Sequence, residues 1–140
     1  MENAKYTGKI VKISGPVIDI RFDGGKVPPI NSLITIDEYG KHAEVAAHQG
    51  GGIVRAIALE ATEGLRCNLL ASSDGKGREV PVGDGVIGRA VDVLGRPIDG
   101  KGEVKADHYL PIHRDAPKLN EQKPATELLE TGIKVIDLLV

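Results

Sequence analysis

The stretch Thr7-Gly8-Lys9-Ile10-Val11-Lys12-Ile13-Ser14-Gly15-Pro16-Val17-Ile18-Asp19-Ile20-Arg21-Phe22 decides the fold class. Ile18, Ile20 and Phe22 alternate with Val17, Asp19 and Arg21, the period of two that turns one face of a strand toward a core. Thr7 to Ile13 is a second β-rich run, and Ser14-Gly15-Pro16 breaks the two apart. Asp23-Gly24-Gly25-Lys26 then signals a turn, and Pro28-Pro29 excludes a central strand. Farther out, short apolar or β-branched runs recur at Leu33 to Ile36, Ala43 to Ala47, Ile53 to Leu59 and Leu69 to Ala71. Gly40, Gly50-Gly51-Gly52, Gly64, Gly75 and Gly77 fall between or after them. Short strands at that regular spacing predict a small closed all-β barrel, whose closure leaves no sheet edge unpaired.

Composition narrows the function. The 140 residues carry 18 Lys+Arg against 20 Asp+Glu, a formal net charge of −2. That balance lacks the footprint of a nucleic-acid binder, and Tyr6, Phe22, Tyr39 and Tyr109 are not interleaved with a basic stripe. With 41% apolar and 27% charged residues, neither disorder nor a coiled coil is indicated. Lys134 and Asp137 interrupt the apolar C-terminal run, so no stretch is long enough to span a membrane. The opening Met1-Glu2-Asn3-Ala4-Lys5-Tyr6 has no apolar signal-peptide core, and the protein is expected to stay in the compartment where it is made. Cys67 is the single cysteine; it forms no internal disulfide and is expected to be a small buried or semi-buried filler.

Beyond residue 78 the texture changes. Arg78 to Gly83 reads as an exit strand and Gly88 to Leu94 as a short strand-like run. Pro97 to Gly102 reads as a turn, and His108 to Lys123, with Pro111 and Pro117, as an extended connection. A helix is predicted to begin at Thr131, with Ile133, Ile136, Leu139 and Val140 on one face. The chain stops on Val140 without a capping residue, so the sequence is expected to be cut in mid-element.

Three strings imitate catalytic motifs. Gly83-Asp84-Gly85-Val86-Ile87-Gly88 has the spacing of a dinucleotide fingerprint, but the run after it is too short and strand-like to be the required helix. Gly95-Arg96-Pro97-Ile98-Asp99-Gly100-Lys101-Gly102 misses a phosphate-binding loop at its last position, where a hydroxyl would hold magnesium. A hairpin tip fits it better, by analogy with Asp74-Gly75-Lys76-Gly77. His113-Arg114-Asp115 with Asn120 has the spacing of a kinase catalytic loop, yet the other kinase elements are missing. His42, His48, His108 and His113 have no metal-ligand spacing, and Ser72 and Ser73 have no adjacent base. The residues themselves yield no catalytic, nucleotide-binding or metal site.

Taken together, several strings resemble the beginning of the F-type ATP synthase beta subunits, the catalytic subunits of the rotary ATPases. They are Gly8 to Phe22, Ile53 to Leu65 with its Thr62-Glu63-Gly64-Leu65 turn, Val80-Pro81-Val82-Gly83, and Gly88-Arg89. Leu94-Gly95-Arg96-Pro97-Ile98-Asp99 and Glu130 to Leu139 complete the set, in the family's order. His48 to Gly52 and Arg66-Cys67 depart from the pattern. Arg89-Ala90-Val91-Asp92-Val93-Leu94-Gly95 leans toward the related alpha subunits and the flagellar export ATPases.

The resemblance implies a six-stranded N-terminal barrel over residues 1–82 and, over 83–140, the truncated start of an α/β P-loop nucleotide-binding domain. It implies a ring in which three such subunits alternate with three alpha subunits around a central stalk subunit. The assembly would lie peripherally on the cytoplasmic side of an energy-coupling membrane, moving protons or sodium ions. Mg-ADP and Mg-ATP are implied for the full-length subunit, with the phosphate-binding loop beyond Val140 and no catalytic residue within this stretch. The stretch alone is expected to be inactive. Two alternatives stand beside this one: a free-standing β-barrel interaction module, and a piece of a related rotary or flagellar export ATPase subunit.

Overall fold

In the computed structural model of the chain, which describes residues 6–122 and 130–139, the alternating runs become six strands. They are β1 (Tyr6–Ser14), β2 (Val17–Phe22), β3 (Leu33–Ile36), β4 (Lys41–Gly50), β5 (Ile53–Ala58) and β6 (Leu70–Ser73). All pair antiparallel, and they close in the order β1-β2-β5-β4-β3-β6. The last strand returns to the first, with Tyr6 opposite Ser73 and Lys9 opposite Leu70.

The two-residue period fills the barrel. Ile10, Ile18, Ile20, Ile34, Ile36, Val45 and Val54 are fully buried, and Phe22 and Leu69 nearly so. Burying each of the larger side chains contributes about 1.5–3 kcal/mol. Ala43, Ala56 and Ala71 complete the core, because so narrow a barrel has no room for a large residue at every inward position. Between Ile10 and Lys12 the pairing with β2 shifts by one residue. Val11 is the extra residue of a β-bulge, and Ile13 resumes the inward phase. Two further shifts occur in β4, between Val45 and Ala47 and between His48 and Gly50. They carry β4 beyond the run expected at Ala43 to Ala47.

After the barrel come β7 (Glu79–Val82) and β8 (His108–Pro111), paired as a two-stranded sheet. Between them the chain turns repeatedly. Gly88 to Leu94, expected to be strand-like, is not a strand: it makes a single bridge, Val91 to Pro97. The cause is local, since the Asp92 carboxylate accepts hydrogen bonds from the Leu94 and Arg96 amides, both 2.9 Å, and bends the backbone into a turn. Of His108 to Lys123, expected to be an extended connection, the described residues up to Gln122 contain β8 and a 3-10 turn at Leu119–Glu121, and Lys123 lies outside the described residues. The helix α1 (Lys134–Leu139) begins after Thr131 rather than at it. Asp137 reaches back to accept hydrogen bonds from the amides of Thr131 (3.0 Å) and Gly132 (2.9 Å). Val140, also assigned to this helix from the sequence, lies outside the described residues.

At Gly8, β1 lies close against β2. A Cβ there would stand 2.5 Å from the Arg21 carbonyl oxygen and 3.0 Å from a Phe22 ring carbon. Gly8→Ala is therefore expected to lower the unfolding free energy by about 1–3 kcal/mol. The measurement is a urea melt, which should show a lower midpoint at unchanged slope; an unmoved midpoint would contradict the close approach.

Candidate functional site

The outward face of the barrel wall carries the polar chemistry of this chain. On β4, His42 and Glu44 point outward in alternation with the buried Ala43 and Val45, as a two-residue period requires. Glu60 follows β5 and joins them. Its Oε1 accepts a hydrogen bond from Arg96 Nη2 at 2.9 Å, and its Oε2 accepts one from the His42 amide at 2.7 Å, with His42 Nδ1 at 3.3 Å. Burial pushes the Glu60 carboxyl up, but the hydrogen bonds from Arg96 and His42 outweigh it and hold the group below the ordinary carboxylate range. Two residues along β4 from His42, Glu44 has Arg78 Nη2 at 3.4 Å and His113 Nε2 at 3.3 Å. Glu60 and Glu44 thus each face one arginine and one histidine.

The segment between β7 and β8 is braced by its own ion pairs. Arg89 grips Asp99 with both arms of its guanidinium, Nε to Oδ2 at 2.6 Å and Nη2 to Oδ1 at 3.0 Å. It also donates to the carbonyls of Gly102 and Glu103. The Arg89 side-chain bonds, followed by the Lys101 and Ala90 amides, hold the Asp99 carboxyl far below its ordinary value. Asp92 accepts Arg96 Nε at 2.6 Å. There burial pushes the carboxyl up, and the bonds from Arg96 and Leu94 more than offset it. On the neighbouring strands, Asp19 of β2 lies opposite Arg55 of β5 and takes a bidentate pair at 2.8 and 3.0 Å. That bond keeps Asp19 ionised against its burial, with Lys12 adding charge.

The strings that imitate catalytic motifs fold into turns. Gly83 to Gly88 holds one 3-10 turn, Asp84–Val86, and no helix. The space a Cβ of Gly85 would need is filled by the Lys105 backbone carbonyl, so the close approach that glycine permits is used within the chain. In Gly95 to Gly102 the Asp99 carboxylate accepts the Lys101 amide at 3.1 Å, as Asp74 accepts the Lys76 amide at 2.8 Å. The two Asp-Gly-Lys-Gly strings form the same Asx turn. His113, Arg114 and Asp115 are exposed, and His113 is directed at Glu44. Ser72 Oγ donates to Asp37 and Ser73 Oγ to the Leu33 carbonyl, each at 2.6 Å. His48 Nε2 lies 2.8 Å from the Pro28 carbonyl, and His108 is exposed.

Cys67 departs from its expected role as a filler: it is exposed. It stands in the turn before β6, where the residue that enters the core is Leu69. Among the described residues no group of three His, Cys, Asp or Glu could hold a metal ion. Neither glycine-rich string opens a helix among the described residues.

Motif spacing does not single out the ion pairs Arg89–Asp99 and Arg96–Glu60 as a site. Their arginines and Asp99 nonetheless lie in the strings Gly88-Arg89 and Leu94 to Asp99 that carry the resemblance. Arg96 also stands four residues after Asp92, a spacing that could have pointed to that pair.

Residues 10–69 match the family model described as ATP synthase alpha/beta family, beta-barrel domain. The matched stretch runs from the inward Ile10 of β1 to the buried Leu69 just before β6, which is nearly the whole closed barrel. It supports the alpha/beta ATPase superfamily for the barrel. Among the described residues no helix is long and apolar enough to cross a membrane.

Asp19, Glu60, Asp92 and Asp99 all have carboxyls lowered in the fold. Their stabilising contribution is present in full above the ordinary carboxylate value of about 4. It is lost as pH falls below that value toward the lowered folded-state values, because the unfolded chain takes up protons first. Urea midpoints measured from pH 7 to pH 2 should fall below about pH 4. Asp99→Asn should flatten part of that fall; an unchanged acid limb would show that the Arg89 clamp does not contribute.

Proposed function

We propose that this chain is the N-terminal part of the catalytic beta subunit of an F-type ATP synthase, and that its barrel is one member of a ring alternating with alpha subunits. The observation that carries this is the coincidence of the family match over residues 10–69 with a closed six-stranded barrel. Closure removes every free edge from the sheet, so neighbouring subunits must meet through side chains on the wall rather than by adding strands. A closed barrel is suited to that task, as a rigid collar beside which other domains move.

The beta assignment, as against alpha or a flagellar export ATPase, is supported by the opening strands and by Lys134-Val135-Ile136-Asp137-Leu138-Leu139. In this proposal residues 83–140 lead into a nucleotide-binding domain whose phosphate-binding loop follows them. Mg-ADP and Mg-ATP bind there, and the complex is peripheral to a membrane across which protons or sodium ions move. The 140 residues serve assembly and perform no phosphoryl chemistry.

Co-expression with an F-type alpha subunit, followed by native mass spectrometry, tests the assignment. The expected result is a hetero-oligomer containing both chains; a chain that stays monomeric beside folded alpha subunit would overturn it. The purified chain alone should show no magnesium-dependent ATP hydrolysis above background in a phosphate-release assay, and measurable turnover would refute the division of labour.

A further inference from the structure

The hydrophobic core ends at Ala71: all twelve of its buried side chains lie between Ile10 and Ala71. Residues 78–113 therefore need something else to hold them. Their apolar side chains supply little of it: Pro81 is buried but lies close to Gly95 of the same segment, Val80, Val82, Leu94 and Leu110 are half-buried, and Ile87, Val93, Ile98 and Tyr109 are each at least half exposed. Their internal bonds are plentiful. Besides the β7–β8 ladder and the Arg89–Asp99 clamp, Asp107 N donates to the Val82 carbonyl at 3.0 Å and Ile112 N to the Arg78 carbonyl at 3.1 Å. Those bonds shape the segment but do not fasten it to the barrel.

Glu44 and Glu60 do reach across. Glu60 takes Arg96 from the middle of the segment, and Glu44 takes Arg78 from its start and His113 from its end. The Glu44 and Arg78 side chains are only 20% and 16% exposed, so that pair is less screened than a surface pair. Arg78 is also drawn to the Val93 carbonyl at 3.1 Å, which ties the Glu44 contact to the middle of the segment.

We propose that residues 78–113 are a strap latched to the barrel wall by two Arg–Glu–His clusters, Arg96–Glu60–His42 and Arg78–Glu44–His113. Barrel and strap then open and move as one mechanical unit, and the hinge toward the later residues lies beyond His113. This concerns the chain's own mechanics and does not depend on the ring proposed above.

Hydrogen exchange read by mass spectrometry on the full 140-residue chain tests the latch. In the double variant Glu44→Gln/Glu60→Gln, peptides covering 84–113 should exchange about tenfold faster or more, while β2 and β5 peptides stay within about twofold. Unchanged strap exchange would overturn the latch. Equal acceleration of strap and barrel would overturn it too, because the carboxylates would then serve the barrel itself. Arg96→Gln leaves the barrel sequence untouched and should accelerate the strap alone. It decides the matter if the double variant does not fold, with unchanged strap exchange again the overturning result.

Discussion

The return of β6 to β1 is the constraint on which the rest of the molecule depends. Once Tyr6 to Lys9 pair with Ser73 to Leu70, the sheet has no free edge and its interior has a fixed, small bore. A narrow bore explains why three of the twelve core positions are alanine and why β1 carries a glycine where it meets Phe22. It also confines the barrel's interactions to the outward half of each strand, because every inward position is already taken by packing. What this chain does with other groups, its own strap included, it does from the outer wall.

On that wall the polar groups are ordered by opposition rather than by sequence. Asp19 and Arg55 meet because β2 and β5 are neighbours in the closed sheet, although 36 residues separate them. Glu44 meets His113 across 69 residues. Pairs of this kind exist only where the closed sheet sets their strands side by side. Acid should weaken the Asp19–Arg55 pair, since the lowered Asp19 carboxyl owes its shift first to the Arg55 hydrogen bond.

The strands were legible in the sequence because their signal is local. Val17 to Phe22 and Leu33 to Ile36 begin and end where their alternation does, and the core residues of β2 are those that the alternation of Ile18, Ile20 and Phe22 selects. Local signals also misled. Gly88 to Leu94 has strand-like composition, but one side chain, Asp92, accepts two amides and bends it. Cys67, whose residue type suggests a buried or semi-buried filler, is exposed, and the turn before β6 turns Leu69 inward instead. The two glycine-rich strings fold as turns, one around Asp84–Val86 and one around the Asp99 carboxylate. The strap's attachment was not legible, because Arg96 and Glu60, or Arg78 and Glu44, acquire their meaning only when β4 and β5 have been placed side by side.

Val11 has a further consequence. If that one residue is passed over, Gly8, Ile10 and Ile13 face inward while Lys9 and Lys12 face outward, a regular alternation on both sides of the bulge. The inserted residue therefore leaves undisturbed which side chains are inside, and what it alters is the course of the strand. Curvature and solvent partition are thus set by different residues of β1. Evolution can adjust the bend of this wall, and with it the angle at which a neighbour meets it, without repacking the interior.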